Sequence, residues 1–461
     1  MNPRIFFSLI LAASSLAAQA RLPEYSKQTL PNGATVILLR KPDVPLISLR
    51  AVFRGGAEAE PSGLNGIASI TSELMRRGTS TRTSDQIALE LDSIGATLAL
   101  SSNRQTSAVA TEFMTRTTDQ ALAIFEDVLL HPTFPEPEVK KVLAQAADQV
   151  RSAKDNPAFA IGRYFNAFYY PAGHPYHTSG AADEAALAKM SRAGIEAFYK
   201  RMYTGRNLIL IAAGDLDPAT LGARIAKIAA ALPAGTAFTP GKVAPVHHSA
   251  ARLLLVDKPD ATQTYFRIGL PGIGRTSPDR VPLLIVNTLF GGRFTSMINE
   301  ALRVKSGLTY GANSILEQDR LTGAIVINSY TRTDATEKAL DLTLSVLKDL
   351  REKGIDAAML ASAKAYIKGG FPTERLETAD QLADVLGELE FYHLDKGEID
   401  DLFSRLDAVT LEQANAVARQ YFTGSALQFC LIGNASKVEP MVKKYAPDLK
   451  VISIQAPGFG N

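Results

Sequence analysis

The chain has 461 residues, of which 46% are hydrophobic, 21% charged and 7% aromatic. This is the composition of an ordinary globular protein, and the length allows two or more cores. The formal net charge of +2 gives no reason to expect nucleic acid or an acidic membrane as a partner.

The N-terminus has the features of a secretory signal peptide. Arg4 precedes an apolar run from residue 5 to about residue 18, and small residues flank a cleavage point after Ala20. Serines interrupt the run, which is shorter than the ~20 apolar residues of a membrane span. We therefore expect export with cleavage after Ala20. No later segment is expected to be long and apolar enough to cross a bilayer.

The elements of the first 215 residues follow each other in a regular order. Alternating apolar residues predict strands, and apolar residues spaced three and four apart predict helices. The predicted strands cover 35–39, 46–53, 97–101, 106–113 and 208–211, and the predicted helices cover 66–75, 84–94, 118–130, 136–153, 158–169 and 191–203.

Two segments of the chain return later at nearly the same spacing. Tyr203-Thr204-Gly205 and the strand after it return at 422–424, an offset of 219, and Lys41-Pro42-Asp43 returns at 258–260, an offset of 217. Echoes at both ends of a unit indicate a tandem duplication. We predict an α+β fold of two homologous domains, each a mainly antiparallel sheet with helices packed on one face.

The domain boundaries follow from the repeat and from chain punctuation. Residues 233–250 are rich in proline and glycine and lack apolar periodicity, which predicts a linker and hinge. The order is therefore a signal peptide (1–20), a first domain (21–232), this linker and a second domain (251–461). The single cysteine, Cys430, lies in an apolar run and is predicted to be a buried small hydrophobe, since it cannot form an internal disulfide.

A series of short motifs gives the chain a family resemblance. They are Leu30-Pro31-Asn32-Gly33, Gly66-Ile67-Ala68, Gly78-Thr79, Leu130-His131-Pro132-Thr133-Phe134, His174-Pro175-Tyr176, Phe198-Tyr199-Lys200 with Gly214-Asp215, and Leu302-Arg303 with Gly307-Leu308-Thr309-Tyr310. In this order and spacing they resemble the pitrilysin/insulinase family of zinc peptidases. The resemblance implies a clamshell-like pair of domains and a periplasmic location for an exported bacterial member.

The zinc ligands that the resemblance leads one to expect are missing. Active members carry H-x-x-E-H on the helix before the Gly-Thr pair, where two histidines on one helix face bind zinc and the glutamate activates water. Here that pentad falls on residues 69–73, Ser-Ile-Thr-Ser-Glu. The family's third ligand maps to Gln149 and its supporting glutamate to Val142. No histidine lies between Arg21 and Leu130, so no other register restores the motif. We expect no metal, no cofactor and no catalytic residue.

Other chemistries find little support in the sequence. His174 and His177 stand in a proline-containing loop without a carboxylate between them, and His247-His248 is expected to be a solvated pair in the linker. His393 ends an apolar helix. Ser69, Ser72 and Glu73 have no local base that would make a serine nucleophilic, so they are interpreted as filling the space of a lost site. Residues 290–293 lack the Gly-Lys-Ser/Thr ending of a phosphate-binding loop.

The second copy keeps a segment that resembles the family's substrate clamp. In the family, an arginine and a tyrosine seven residues later face the zinc site across a closed chamber, and here these positions are Arg303 and Tyr310. Guanidinium and phenol groups can hold a peptide carbonyl and stabilise negative charge. The alternative is structural: Arg303 caps or pairs at a helix end, and Tyr310 packs at the start of a strand.

The first half has lost the zinc ligands, and the second half keeps the arginine and tyrosine of the substrate clamp. This combination predicts a non-catalytic subunit. We expect the chain to form a heterodimer with a zinc-bearing relative and to bind peptide substrate. An edge strand near 97–103 would align the peptide. A nucleic-acid partner and a membrane anchor are not expected. Two alternatives remain: a structural or assembly protein of the same fold, and an independent hydrolase with unrecognised chemistry.

Overall fold

A computed structural model of the chain describes residues 20–178, 180, 182–241 and 245–460. The predicted signal peptide, apart from Ala20, lies outside the described residues. The described chain folds into two halves, each built on one six-stranded sheet. This is the α+β class that the sequence predicts.

The first sheet is mainly antiparallel. Its strands are β1 (Tyr25–Thr29), β2 (Thr35–Arg40), β3 (Leu46–Arg54), β4 (Thr97–Ser102), β5 (Thr106–Met114) and β6 (Leu208–Gly214). They are hydrogen-bonded in the order β1-β2-β6-β3-β5-β4, and only β2 and β6 run parallel. The helices of this half are α1 (Ile67–Met75), α2 (Ser84–Ile94), α3 (Thr118–Leu130), α4 (Glu136–Asp155), α5 (Pro157–Tyr169), α6 (Glu184–Leu187), α7 (Arg192–Met202) and α8 (Thr220–Ala231).

The second sheet repeats this plan with one change. Its strands are β7 (Arg252–Asp257), β8 (Gln263–Pro271), β9 (Ala312–Gln318), β10 (Gly323–Arg332), β11 (Gln428–Gly433) and β12 (Asp448–Ser453). The order is β12-β7-β11-β8-β10-β9, and β12 pairs parallel with β7, whereas β1 pairs antiparallel with β2. The helices are α9 (Arg280–Asn287), α10 (Met297–Asn299), α11 (Thr336–Lys353), α12 (Ala357–Arg375), α13 (Ala379–Tyr392), α14 (Gly397–Asp400), α15 (Leu402–Ala408), α16 (Leu411–Tyr421) and α17 (Ala435–Val442).

The echoed tripeptides occupy equivalent places in the two sheets. The Lys41 N–H donates to Gly214 O at 2.7 Å, and the Lys258 N–H donates to Gly433 O at 2.8 Å. Each lysine also forms an ion pair with the aspartate two residues later, Asp43 or Asp260. The same local structure at both ends of the repeat supports the duplication that the sequence predicts.

The two halves exchange one helix each. The helices of the first half cover one face of the first sheet, as predicted. The other face is covered by α13 of the second half, which packs on β3 and β6. In return, α5 of the first half packs on β8 and β11. The prediction of helices on one face was therefore incomplete, because each sheet is buried on both sides.

Burial on both sides explains why the central strands are apolar throughout. Val36, Leu38, Leu210 and Ala212 face the helices of the first half, whereas Ile37, Leu39, Ile209 and Ile211 pack with α13. Successive side chains of a strand point to opposite faces, so a strand buried on both faces is apolar at every position.

A close approach at Gly269 allows the α5 exchange. A Cβ atom at this position would lie 2.7 Å from ring atoms of both Phe165 and Tyr169 on α5. The Tyr169 hydroxyl then donates to Leu270 O at 2.9 Å. The hinge at residues 233–250 stays a prediction. A hinge motion there would either preserve the contacts between α5 and the second sheet or break them.

One helical segment corrects the sequence analysis on membrane-spanning potential. Residues Arg280–Lys305, within the described chain, are long and apolar enough to cross a bilayer by length and composition alone. Leu283, Phe290 and Leu302 of this segment are buried in the second core, whereas Phe294 and Val304 are exposed. A buried core helix passes the same test, so the segment is weak evidence for a membrane span.

Candidate functional site

Helix α1 lies at the position where the zinc-binding helix of the family is expected. It begins after Gly66, whose φ of +88° is a left-handed conformation that glycine adopts at no steric cost. The Glu60 carboxylate accepts a hydrogen bond from the Ala68 N–H at 3.1 Å. Burial raises the pKa of Glu60 to about 7. Ile67, Ile70 and Leu74 fix the helix in the core of the first half.

The hydroxyl groups on α1 are engaged in structural hydrogen bonds. Ser72 Oγ lies 3.0 Å from the hydroxyl of Tyr203, and both side chains are buried. Ser69 Oγ donates to Gly180 O at 3.2 Å. No histidine or lysine approaches these serines among the hydrogen bonds of the described chain, so neither serine has the base that a nucleophile needs.

Glu73, the only carboxylate in the degenerate pentad, is held by two arginines. Arg76 Nε and Arg77 Nε donate to its two oxygens at 3.1 and 2.8 Å. Two cations satisfy the carboxylate electrostatically and would compete with a metal ion for its oxygens. The structure therefore places Glu73 in a surface ion-pair cluster.

The two positions mapped on α4 differ in exposure. Val142 is buried in the core, whereas Gln149 is exposed. Helix α4 contacts α1, the helix that carries Ser69 and Ser72. Within residues 20–178, 180, 182–241 and 245–460 no group of three or more His, Cys, Asp or Glu side chains is arranged to hold a metal ion.

The other candidate residues, His174, His177 and Cys430, make packing or hydrogen-bond contacts within the fold. The His174 ring stacks on Tyr170, and its Nδ1 accepts a hydrogen bond from the Tyr176 N–H at 3.0 Å. His177 Nδ1 lies 2.8 Å from Tyr170 O. Cys430 is fully buried as predicted, and burial raises the pKa of its thiol to about 12.

The linker histidines correct one expectation. His247 is exposed, but His248 is half-buried and packs against the Tyr169 ring, with 4.7 Å between ring centroids. Burial lowers the pKa of His248 to about 4. The pair is therefore not fully solvated, because the linker lies against the exchanged helix α5.

The second half has a cleft of about 810 Å³ that contains Arg303. Two π-helical turns, Thr288–Gly292 and Glu300–Lys305, shape its wall, and such turns frequently occur at functional sites. Arg303 lies in the second turn with its guanidinium carbon 4.8 Å from the centroid of the Phe294 ring.

Tyr310 stands at the rim of this cleft. Its side chain is 80% exposed, and the following residue, Gly311, lines the cleft. Among the described residues, the side chains of Arg303 and Tyr310 form no hydrogen bond and no ion pair, whereas the Arg303 backbone carbonyl accepts a hydrogen bond from the Gly307 N–H at 3.2 Å. The capping and packing roles considered from the sequence are therefore not seen, and both groups are free to contact a ligand.

Two further arginines in the cleft were missed by sequence reasoning. Arg267 projects from the middle of β8, and Arg293 follows the first π-helical turn. A charged residue between the buried Phe266 and Ile268 of an alternating strand is the signal that points to Arg267. Arg293 stands next to the glycine pair 291–292, which the sequence analysis considered only as a phosphate loop.

The predicted edge strand also has its expected place. Strand β4 is the last strand of the first sheet, and α1 packs against it. An extended peptide added to this edge would run beside the degenerate pentad. The edge strand β9 of the second sheet is instead hydrogen-bonded by side chains of its own half. Its Ala312 N–H donates to Asn299 Oδ1, and Asn287 Nδ2 donates to Ser314 O.

Two family models match the chain. The model described as "Insulinase (Peptidase family M16)" matches residues 35–171, and the model described as "Peptidase M16 inactive domain" matches residues 189–367. Together they match most of the first half and the part of the second half up to residue 367. The duplicated fold thus belongs to one class of protein, that of the zinc peptidases and their homologues.

Curated relatives and solved structures agree with this class. An uncharacterized zinc protease of Mycobacterium leprae is 24% identical over 402 residues, covering 87% of this chain and 90% of its own. The uncharacterized zinc protease YmxG of Bacillus subtilis is 22% identical, covering 86% of this chain and 95% of its own. The chain belongs to the pitrilysin/insulinase family, peptidase family M16.

Solved structures show the same fold at low sequence identity. The crystal structure of a peptidase M16 inactive domain from Pseudomonas fluorescens has a TM-score of 0.83 and 23% identity, covering 89% of this chain and 98% of that one. A protease from Helicobacter pylori has a TM-score of 0.81 and 19% identity, covering 89% of this chain and 100% of that one.

Proposed function

We propose that the chain is a non-catalytic subunit of a periplasmic zinc peptidase, in which it closes the chamber of a zinc-bearing relative and grips the peptide substrate. The observation that carries this proposal is an asymmetry between the halves. The first half has two hydroxyls, a charge-paired carboxylate and an exposed amide at the positions of the family's catalytic and ligand residues. In the second half, the side chains of Arg303 and Tyr310 form no hydrogen bond or ion pair with the described residues, and the Arg303 guanidinium lies on the Phe294 ring.

The donor set of the first half does not suit zinc. Structural and catalytic zinc sites use cysteine, histidine and carboxylate ligands, whereas neutral serine hydroxyls and a glutamine amide are poor ligands for this ion. Glu73 alone would supply one ligand and would first have to leave Arg76 and Arg77. Although curated relatives are named zinc proteases, the residues of this chain favour a subunit that does not itself catalyse hydrolysis.

The second half can bind and orient a peptide. The Arg303 guanidinium offers several N–H donors in a planar fork, and Tyr310 offers a phenol that is almost entirely in solvent. Donors of this kind can hold a peptide carbonyl and stabilise the negative charge that develops on it during attack by a zinc-bound water. A partner must supply the zinc and the base.

Reconstitution tests the proposal. The purified chain would be mixed with an exported family member that carries an intact H-x-x-E-H, and hydrolysis of a quenched fluorescent peptide would be measured. We expect the mixture to exceed the sum of the separate activities, and Arg303→Ala to lower that gain by about tenfold or more. Arg419→Ala, at an exposed arginine on α16 in the same half, is the matched control.

Two outcomes would contradict the proposal. A mixture no more active than the partner alone would exclude a role in proteolysis and favour the structural or assembly alternative. Hydrolysis by the isolated chain that survives a chelator would instead indicate an independent hydrolase.

A further inference from the structure

The residues that the structure describes around the cleft of the second half include three arginines and no aspartate or glutamate. Arg267, Arg293 and Arg303 all line it. None of the three takes part in a salt bridge within the described chain, although many other arginines of the protein do, such as Arg275 and Arg320. The cleft is therefore a local concentration of positive charge in a protein of net charge +2, although the Glu317 carboxylate is near enough to Arg267 to oppose part of the effect of burial on the pKa of that arginine.

Arg267 is the least satisfied of these cations. Its Nε is buried without a hydrogen-bond partner, and its guanidinium carbon lies 6.0 Å from the centroid of the Phe165 ring. Burial lowers the pKa of Arg267, which reflects the cost of keeping this charge away from water. Buried charges are normally paired, so an anion that enters the cleft would offset this cost.

Arg293 is similar but more accessible. Its Nη1 donates to Ser362 Oγ at 3.0 Å, its Nε is buried without a partner, and its guanidinium lies 5.8 Å from the Tyr366 ring. The aromatic and hydroxyl contacts hold the side chain in place while leaving donors unused. Arg303 lies on Phe294 in the same way. An aromatic ring on the cleft wall thus positions two of the three arginines, Arg293 and Arg303.

The cleft also has features that suit a peptide backbone and apolar side chains. Asn328 Nδ2 donates to Asn313 Oδ1 at 3.1 Å, and the Asn328 Oδ1 is buried without a partner among the described residues. That oxygen can accept a hydrogen bond from a peptide N–H. Phe294, Ile315 and Tyr366 on the cleft wall are 65%, 48% and 50% exposed, which is unusual for large apolar side chains.

We propose that this cleft binds an extended peptide segment that carries aspartate or glutamate side chains beside apolar ones. The inference deepens the proposed function and rests on it, since it names the class of substrate that the same half would select. Carboxylates pair with guanidinium groups through charge-assisted, often bidentate hydrogen bonds. Nucleic acid is disfavoured because it is bound along extended basic surfaces, whereas here the cations are confined to one cleft.

Titration of the full chain with three matched peptides tests this. The probes are ten-residue peptides, acetylated and amidated so that only side chains are charged, with glutamate, glutamine or lysine at two positions among leucine and glycine. Calorimetry should give the glutamate peptide about tenfold higher affinity than the glutamine peptide at low salt, and the lysine peptide the lowest affinity. The preference should shrink between about 50 and 500 mM salt because screening weakens exposed charge pairs.

Variants then assign the effect to the cleft. Arg293→Gln and Arg267→Gln should each reduce the preference for glutamate over glutamine by about threefold to tenfold, while binding of the glutamine peptide stays unchanged. Arg293 is the more accessible of the two, so its variant serves if Arg267→Gln does not fold. Arg419→Gln, at an exposed arginine away from the cleft, should leave the preference intact.

The outcomes separate this inference from the proposed function. Equal affinity for the glutamate and glutamine peptides would overturn the charge selectivity and leave peptide binding standing. Failure of all three peptides to bind would overturn both. Displacement of the glutamate peptide by a ten-nucleotide oligothymidylate with higher affinity would overturn the inference in favour of a nucleic-acid ligand.

Discussion

The Arg320 guanidinium of the second half lies 2.8 Å from the Glu58 carboxylate of the first half, whose side chain is only 2% exposed. Beside it, Arg104 of the first half forms an ion pair with Asp319 of the second half. The halves thus exchange ion pairs as well as helices. Two partly buried charge pairs of opposite direction tie the duplicated units together across their interface.

The Glu58–Arg320 pair is expected to contribute measurably to stability. Arg320→Gln leaves the buried Glu58 carboxylate, whose pKa burial already raises, without its cation and should lower the free energy of unfolding by about 2 kcal/mol, less than for a fully buried pair because Glu58 can take up a proton. Urea denaturation would measure it. In the control, Asp334→Asn breaks the exposed Arg332–Asp334 pair and should cost less than about 1 kcal/mol. Equal losses in both variants would contradict the account.

The exchanged helix α13 should be as important to the first half as to the second. Leu386 on α13 is 1% exposed and packs against the first sheet. Leu386→Ala should lower the free energy of unfolding by about 2 to 5 kcal/mol through lost burial and a cavity. Leu89→Ala, at a leucine that is 70% exposed, should change it by less than about 0.5 kcal/mol.

The same interface makes a prediction about cooperativity. Because each half depends on a helix of the other, the Leu386→Ala variant should unfold in one transition when probes in both halves are followed. Two separated transitions, with the second half unaffected by the substitution, would show that the halves are stabilised independently.

Acid should destabilise the protein through His174. Burial first, and then the positive charge of Arg104 and the neighbouring His177, lower the pKa of His174 to about 4 in the folded state. The unfolded chain, with an ordinary histidine pKa near ~6.5, takes up the proton first as the pH falls. This stability is therefore present above about pH 6.5 and is lost progressively toward pH 4, by about 1 to 2 kcal/mol.

Comparison with a variant isolates the histidine. In His174→Asn the amide oxygen can still accept the Tyr176 N–H, so the loop hydrogen bond can be kept without a titrating ring. The difference in free energy of unfolding between wild type and variant should shrink as the pH falls from 7 to 4.5. A difference that is constant across this range would show that His174 does not titrate as described.

Much of the fold could be predicted because the sequence carries local signals. Helices α2 and α3 begin and end where periodicity places them, and the capping box of Thr83 and Gln86 is visible in the sequence. The offset between Lys41 and Lys258 predicted the duplication. What could not be predicted was tertiary: a continuous apolar strand such as β6 shows that both faces are buried, but not that α13 comes from the other half.

The candidate site could likewise be predicted only in part. The loss of zinc ligands was visible because it concerns residue types at fixed spacing, as at Ser69 and Glu73. The charge of the cleft was not, since Arg267 and Arg303 are separated by 36 positions in the sequence and come to one cleft only through the tertiary fold, in which β9 packs on the first π-helical turn and lies two strands from β8. The burial of His248 was missed for the same reason.

The measurement that tests the central claim most directly is the zinc content of the purified full chain after dialysis against zinc and then against metal-free buffer. We expect less than about 0.1 zinc per chain, because serine hydroxyls and a glutamine amide replace the ligands of the family. The combined variant Ser69→His, Ser72→Glu, Glu73→His and Gln149→Glu should gain zinc and serves as the positive control. One tightly held zinc per wild-type chain that is lost in Glu73→Gln would contradict the account.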